Sequence, residues 1–253
     1  MPSLKSMAQF AKHFACCYVA VAPRALYRLT LSCLLDPKGS QRFMHGCLDW
    51  RDFNCDDPVL GSTEIESLFP GGGDVVLEGP YQSSSTSETR VLKEIAVLAY
   101  LVSALKPSLI FEIGTFIGRM TRLFARNAPG AKVLTLDLPQ CDVPHPIGKD
   151  YRGRADETRI MQLHGDSRTI DLTQWKGKCD FVWVDACHDY AFAKSDTLRA
   201  MELCKPGAWI AWHDYRNSAY WSGVTQTVRE LRGRFDTITH IRGTTIALGK
   251  VRA

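Results

Sequence analysis

Short apolar runs, each followed by an acidic residue, alternate with helical periodicity from residue 85 almost to the end of the chain. Leu109-Ile110-Phe111 precedes Glu112, Val133–Leu136 precedes Asp137, and Ile160–Leu163 precedes Gly165-Asp166. Phe181–Val184 precedes Asp185, and Trp209–Trp212 precedes His213-Asp214. Runs this short, without polar alternation, suit strands covered on both faces, as in a parallel sheet. Between them, Val91, Ile95, Leu98, Val102 and Leu105 recur at helical spacing, behind a capping-box match at Ser85-Thr86-Ser87-Glu88, with an end near Pro107. Arg119–Asn127, Ala191–Cys204 and Gly223–Arg234 read as further helices, the second stopped by Lys205-Pro206-Gly207 and the third capped by Ser222. Thr237–Ile241 and Thr245–Leu248, joined by Arg242-Gly243-Thr244, read as a hairpin. The expectation is an α/β doubly wound, mainly parallel sheet with helices on both faces and a C-terminal antiparallel hairpin.

Residues 1–85 lack this alternation. Asp36-Pro37-Lys38-Gly39-Ser40, Pro70-Gly71-Gly72-Gly73 and Gln82–Ser87 have turn and linker composition, separated by short helical stretches. The division expected is a helical or irregular accessory region over 1–85 and a ligand-binding domain over 86–253. Phe14–Ala22, ending in Ala20-Val21-Ala22, loosely matches a signal peptide but is too short to span a bilayer. An amphipathic helix over Ala8–Ala22 fits it better, packed on the domain or pairing two subunits into a homo-oligomer rather than inserting stably in a membrane. The nine cysteines include no C-x-x-C pair, which suits reduced thiols and a cytoplasmic location. Cys179, Cys187 and Cys204 sit in apolar surroundings and read as core. The net charge of +4 is spread along the chain, which does not suit a nucleic-acid binder.

Ligands of an open α/β sheet bind beyond the carboxyl ends of its strands, where Glu112, Asp137, Asp166, Asp185, His188, His213 and Asp214 gather. One acid after a strand is as often a turn or helix cap as a site. Acids after five consecutive strands of one sheet are harder to explain that way. The turn Glu112-Ile113-Gly114-Thr115-Phe116-Ile117-Gly118 brings backbone close to a ligand and opens a helix towards it. It lacks the G-x-G-x-x-G of a nicotinamide site, and Glu112 would repel a pyrophosphate. Asp137 can accept both hydroxyls of a ribose. The pocket therefore suits a ribose-bearing, cationic, phosphate-free ligand, a description that S-adenosylmethionine meets.

Phe111–Met120 (F-E-I-G-T-F-I-G-R-M) resembles the first motif of class I methyltransferases. Asp185–Tyr190 resembles the D-[GA]-x-H-x-Y element of a bacterial branch that includes sugar and macrolide O-methyltransferases. Lys205-Pro206-Gly207 with Trp209–Tyr215, and Gly243–Ala247, resemble that branch's P-G-G…H-D-Y segment and terminal hairpin. The resemblance covers about residues 88–250. It implies a Rossmann-like fold with a seven-stranded sheet whose last strand is antiparallel. It implies that Glu112, Gly114 and Gly118 hold the methionine portion of the donor, with Thr115 and Phe116 also binding it. Asp137 would hold the ribose, with Gly165, Asp166 and Ser167 beside the adenine and Leu138 and Asp185 as further donor-binding residues. Ala208 replaces the second glycine of P-G-G, and His213 stands where some metal-dependent relatives have an acid.

His188, three residues after Asp185, can serve as general base for a hydroxyl acceptor; a packing or capping histidine is the plainer alternative. Asp185, His213 and Asp214 can share a divalent ion, Mg2+ or, with an imidazole in the set, Mn2+, which would lower the pKa of a bound hydroxyl. The alternative is that His213 and Asp214 only make hydrogen bonds. Trp183 and Trp212 read as core. Tyr215, Tyr220 and Trp221 form either an aromatic wall for the acceptor or loop packing. The reading is a methyltransferase acting on a small-molecule hydroxyl, such as a sugar or glycosylated natural product. Its rivals are an NAD-dependent oxidoreductase and a non-catalytic adenosylmethionine-binding scaffold.

Overall fold

The computed structural model describes residues 55–77, 86–217 and 223–253. Eight strands form one sheet in the order β1-β7-β8-β6-β5-β2-β3-β4. They are β1 (Ser62–Thr63), β2 (Leu109–Ile113), β3 (Lys132–Asp137), β4 (Ile160–His164), β5 (Cys179–Val184), β6 (Cys204–Trp212), β7 (Phe235–Ile241) and β8 (Ala247–Val251). Strands β2 to β6 run parallel, with β2 central between β3 and β5. β8 enters antiparallel between β6 and β7. This is the Rossmann-like arrangement expected, with one strand more than seven. The added strand, β1, comes from the region read as accessory, and pairs parallel with His240–Ile241 of β7. Two residues carry no readable strand pattern, which is why the sequence hid it.

The period-2 alternation of the strands sorts their side chains onto two faces. Phe111, Ile113, Leu134, Leu136, Val182, Val184, Ile210 and Trp212 face α4 (Tyr190–Leu203) and α5 (Gly223–Leu231), against Ala193, Leu203, Val224 and Val228. Ile110, Val133, Phe181, Trp183 and Ala211 face α2 (Thr86–Leu105) and α3 (Arg119–Asn127), against Ile95, Leu98, Val102 and Phe124. The four-residue α1 (Ile65–Leu68) adds Ile65 to this second layer. Trp183 and Trp212 are core, as expected. Cys179 and Cys204 are buried, but Cys187 is exposed, because it lies in the loop beyond β5 rather than in the strand.

Lys205-Pro206-Gly207 does not merely stop a helix. β6 runs through it, starting at Cys204. Proline is tolerated there, near the start of the strand, where few ladder bonds are lost. Asp180 fastens the lower ends of β2 and β6: it accepts the N–H groups of Ser108 and Leu109, the Ser108 hydroxyl at 2.6 Å and Lys205 Nζ at 2.7 Å. The capping-box serine, Ser222, Tyr220, Trp221 and the N-terminal amphipathic helix lie outside the described residues. Among the described residues no helix is long and apolar enough to cross a membrane.

Candidate active site

Glu112, Asp137, Asp166, Asp185 and His213, at the upper ends of β2 to β6, line two adjoining cavities that share Gly114, Phe116 and Asp185 as walls; His188 and Asp214 line neither. The larger, about 420 Å³, is lined by Asp137, Leu138, Gly165, Asp166, Ser167 and Cys187, among others. The smaller, about 240 Å³, lies under α2 and includes Glu94, Glu112, Thr115, Arg119, Trp183 and His213.

Gly114 is the hinge between them. Its φ is +104°, and a Cβ there would lie 2.0 Å from the Asp185 carbonyl oxygen. Only glycine lets the turn after β2 pass so close to the end of β5. Phe116 also has positive φ, 49°, and its N–H donates to Asp137 Oδ2 at 2.7 Å. Asp137 Oδ1 accepts the Leu138 N–H at 2.8 Å. A carboxylate has about four lone-pair sites, so each oxygen keeps one for a ligand hydroxyl. Phe116 and Leu138 are exposed, and Phe116 packs on the His145 ring at 4.5 Å.

Glu112 does not stand over the strand end as its position suggests. It points to the α2–α3 face one residue before β2 stops, and it is fully buried. Thr121 and Thr135 both donate to its Oε2. Because the Thr135 hydroxyl has one proton, Thr115 must donate to Thr135 Oγ1. Gln162 donates to Thr115, and Tyr151 donates to Gln162. A chain of donors thus runs from Tyr151 to Glu112 in one direction. Glu112 Oε1 is buried without a hydrogen-bond partner. Burial, aided by the charges of Asp185 and Asp137, pushes the Glu112 carboxyl up to about 8 despite both threonines.

The ends of β5 and β6 carry a cluster of histidines and carboxylates. His188 Nε2 lies 2.5 Å from Asp214 Oδ2, an ion-pair distance, although its N–H is not aimed at that oxygen. His213 Nδ1 is 3.2 Å from both Asp185 Oδ1 and Asp214 Oδ2, and its Nε2 is 3.3 Å from Glu94 Oε2. Glu94 is itself held by the N–H and hydroxyl of Thr245, both at 2.7 Å. Burial pulls the His213 ring down, but Asp185, Asp214 and Glu94 outweigh it and raise its pKa well above the usual value. Asp214 raises His188 too, and in return burial of Asp214 is overcome by the two histidines, which hold its carboxyl far below the usual range.

Among the described residues, ligand atoms of Asp185, His188 and Asp214 lie within 4.8 Å of one another, close enough to share a cation. The set expected from sequence had His213 in place of His188; His213 lies between Glu94 and the two aspartates, 3.2 Å from a carboxylate oxygen of each aspartate. Asp166 is paired with its neighbour Arg168 at 2.5 Å, which holds its carboxyl at about 2. Ser167 donates to Asp196. Tyr215 is fully buried, so it forms no part of an acceptor wall.

Backbone geometry beyond β6 is unusual. Asp214 (φ 57°) and Arg216 (φ 63°) both adopt the left-handed region, which costs on the order of 1–3 kcal/mol for each such residue. Glu94 was missed in the sequence because only the apolar stripe of α2 was read. Its signal was present: Glu94 lies three residues after Val91 and four before Leu98, on the buried side.

Residues 111–215 match the family model described as a methyltransferase domain. No curated protein sequence matches the chain. Two of the solved structures that share the fold illustrate the likeness. One is the O-methyltransferase TomG of Streptomyces achromogenes in complex with SAM, at 18% identity and TM-score 0.51, covering 78% of this chain and 93% of that one. The other is the O-methyltransferase of Bacillus cereus in complex with SAH, at 18% identity and TM-score 0.50, covering 90% and 97%. Over residues 111–215, the segment that holds β2 to β6 and the loops beyond them, the chain is similar to methyltransferase domains.

Proposed function

We propose that the chain transfers a methyl group from S-adenosylmethionine to a hydroxyl of a small molecule, a sugar or glycosylated natural product being the class favoured by the D-A-C-H-D-Y motif. The observation that carries the donor assignment is Glu112. A buried carboxyl with one oxygen unpartnered, in a cavity that also holds Asp185, suits the ammonium of an amino-acid tail, whose positive charge would ionise it, whereas a phosphate would meet only an acid and a second carboxylate. Asp137, with a lone pair left on each oxygen, suits the ribose. Gly165, Asp166 and Ser167, with Leu138, border the space beyond it, where an adenine fits. Thr115, Phe116 and Gly118 shape the turn between the two ends.

The donor supplies the methyl group on a cationic sulfur. Asp185, which walls both cavities next to Gly114, faces that position. His188, oriented by Asp214, takes the hydroxyl proton as the acceptor oxygen takes the methyl group, and the electron pair of the broken C–S bond stays on sulfur. With His188 as base, His188→Ala lowers methyl transfer about 100-fold or more while donor binding changes little. Unchanged turnover with the true acceptor contradicts the assignment. A methyl-transfer screen over sugars, catechols and glycosylated natural products identifies that acceptor.

A second reading is favoured by the proximity of Asp185, His188 and Asp214. Two carboxylates and an imidazole suit Mg2+ or Mn2+, and such an ion would orient a diol and acidify its hydroxyl. In that reading His188 is a ligand rather than the base. Full activity after chelation and desalting rules it out; activity that is lost and then restored by Mg2+ or Mn2+ favours it over the base.

A further inference from the structure

Asp57 lies far from the strand ends in sequence, outside the segment matched by the methyltransferase family, yet its carboxylate is completely buried. Its Oδ1 accepts the N–H groups of Val59 and Leu60 at 2.8 and 2.7 Å, closing a turn. Its Oδ2 faces the loop that follows β6. Tyr215 donates to it at 3.0 Å, Arg229 of α5 at 3.1 Å, and Arg216 Nε lies 3.4 Å away. Arg229 also donates to the Tyr215 hydroxyl at 3.2 Å, and Arg216 to the Cys55 carbonyl at 3.0 Å.

Tyr215 is the residue between the two left-handed ones, Asp214 and Arg216. Strained backbone of this kind persists only where its surroundings over-determine it. Here the restraints are visible. Tyr215 N–H donates to Thr245, Arg216 N–H to Thr225, and Asn217 Nδ2 to Asp214 Oδ1. The side chains of Tyr215 and Arg216 both end on one carboxylate, that of Asp57. Asp57 is itself anchored: its N–H donates to Ser62 Oγ, which pairs with His240, whose other ring nitrogen meets the Thr244 carbonyl.

We propose that Asp57 is a positioning residue of the active site: through Tyr215 and Arg216 it holds Asp214 in the left-handed conformation that places its carboxylate against His188. The segment 55–63 is then part of the catalytic unit rather than a separate appendage. This rests on the reading of His188 as a catalytic group. Asp57 lines neither cavity, so its loss affects the geometry of Asp214 and His188 and leaves the Gly114–Asp137 region intact.

The test uses the full-length chain as wild type, D57N and Y215F; the last removes a single hydroxyl and guards against failure of D57N to fold. Expected for both variants is an affinity for S-adenosylhomocysteine within about two-fold of wild type by calorimetry, with kcat lowered about 10- to 100-fold and the acceptor KM changed far less. At one fixed neutral pH, the His188 ring signal in a 13C–1H spectrum, identified by its loss in H188Q, is displaced in both variants. A kcat that falls only in step with the folded fraction overturns the proposal, as does a His188 signal that stays in place. If the screen yields no acceptor, the functional reading fails separately. The His188 signal then decides alone: displaced, it supports the positioning role; unmoved, it overturns it.

Discussion

Glu112 shows at the level of one residue how burial sets chemistry. Its folded pKa, about 8, exceeds that of an exposed glutamate. The protonated form is therefore favoured by folding, and the stability this gives is complete at low pH and lost as pH rises from the ordinary glutamate range through about 8. Without donor, the protein is expected to lose on the order of 5 kcal/mol of stability across that window because of this group. Glu112→Gln, which imitates the protonated form, should flatten the dependence: its melting temperature should approach or exceed that of wild type above pH 8 and not at pH 6. An unchanged pH profile contradicts the burial argument. At this scale the sequence was informative about identity and less so about direction. Glu112, Asp137, Asp185 and His188 stand out in the sequence as candidates by their strand-end positions. That Glu112 points under α2, or that His213 turns towards Glu94, depends on side-chain direction across a sheet and on a helix distant in sequence. Asp57 had no signal at all, because a lone aspartate in a turn-rich stretch looks like any turn residue.

At the level of elements, β2 and β5 must approach closely for the two cavities to meet at Gly114 and Asp185. Gly114→Ala places a methyl group 2.0 Å from the Asp185 carbonyl and forces a left-handed alanine. The expected outcome is a loss of about 2–4 kcal/mol in stability, read by denaturant unfolding, together with at least a ten-fold loss of donor affinity. At the opposite ends of the strands Asp180 joins β2 to β6, and Lys205 holds its carboxyl at about 2 against the opposing effect of its partial burial. Its stabilising contribution is present above the ordinary aspartate pKa and fades as pH falls towards 2. Asp180→Asn should cost about 1 kcal/mol at neutral pH, after discounting for solvent screening, and almost nothing near pH 2. Urea unfolding at both pH values measures this. The parallel strands and their helices were readable because hydrophobic period and breaker residues agree along the chain. β1 was not, because two residues paired at a sheet edge carry no period, and the extra length of β6 was hidden because proline and glycine at a strand's start look like a helix stop.

For the whole molecule, the central claim is that this sheet is built for a cationic nucleoside donor without phosphate. Glu112 and the short glycine turn argue for it, and the same features argue against a nicotinamide dinucleotide. The most direct measurement is a thermal melt of the full-length protein with S-adenosylmethionine, S-adenosylhomocysteine or NAD. A ligand at about 100 times its Kd adds about 2.7 kcal/mol to the folded state. For a chain of this size that corresponds to a rise of roughly 5–10 °C. The prediction is a rise of that size with S-adenosylmethionine and its demethylated product, abolished in Asp137→Ala, and none with NAD. A shift with NAD alone, and none with either adenosyl compound, would contradict the account.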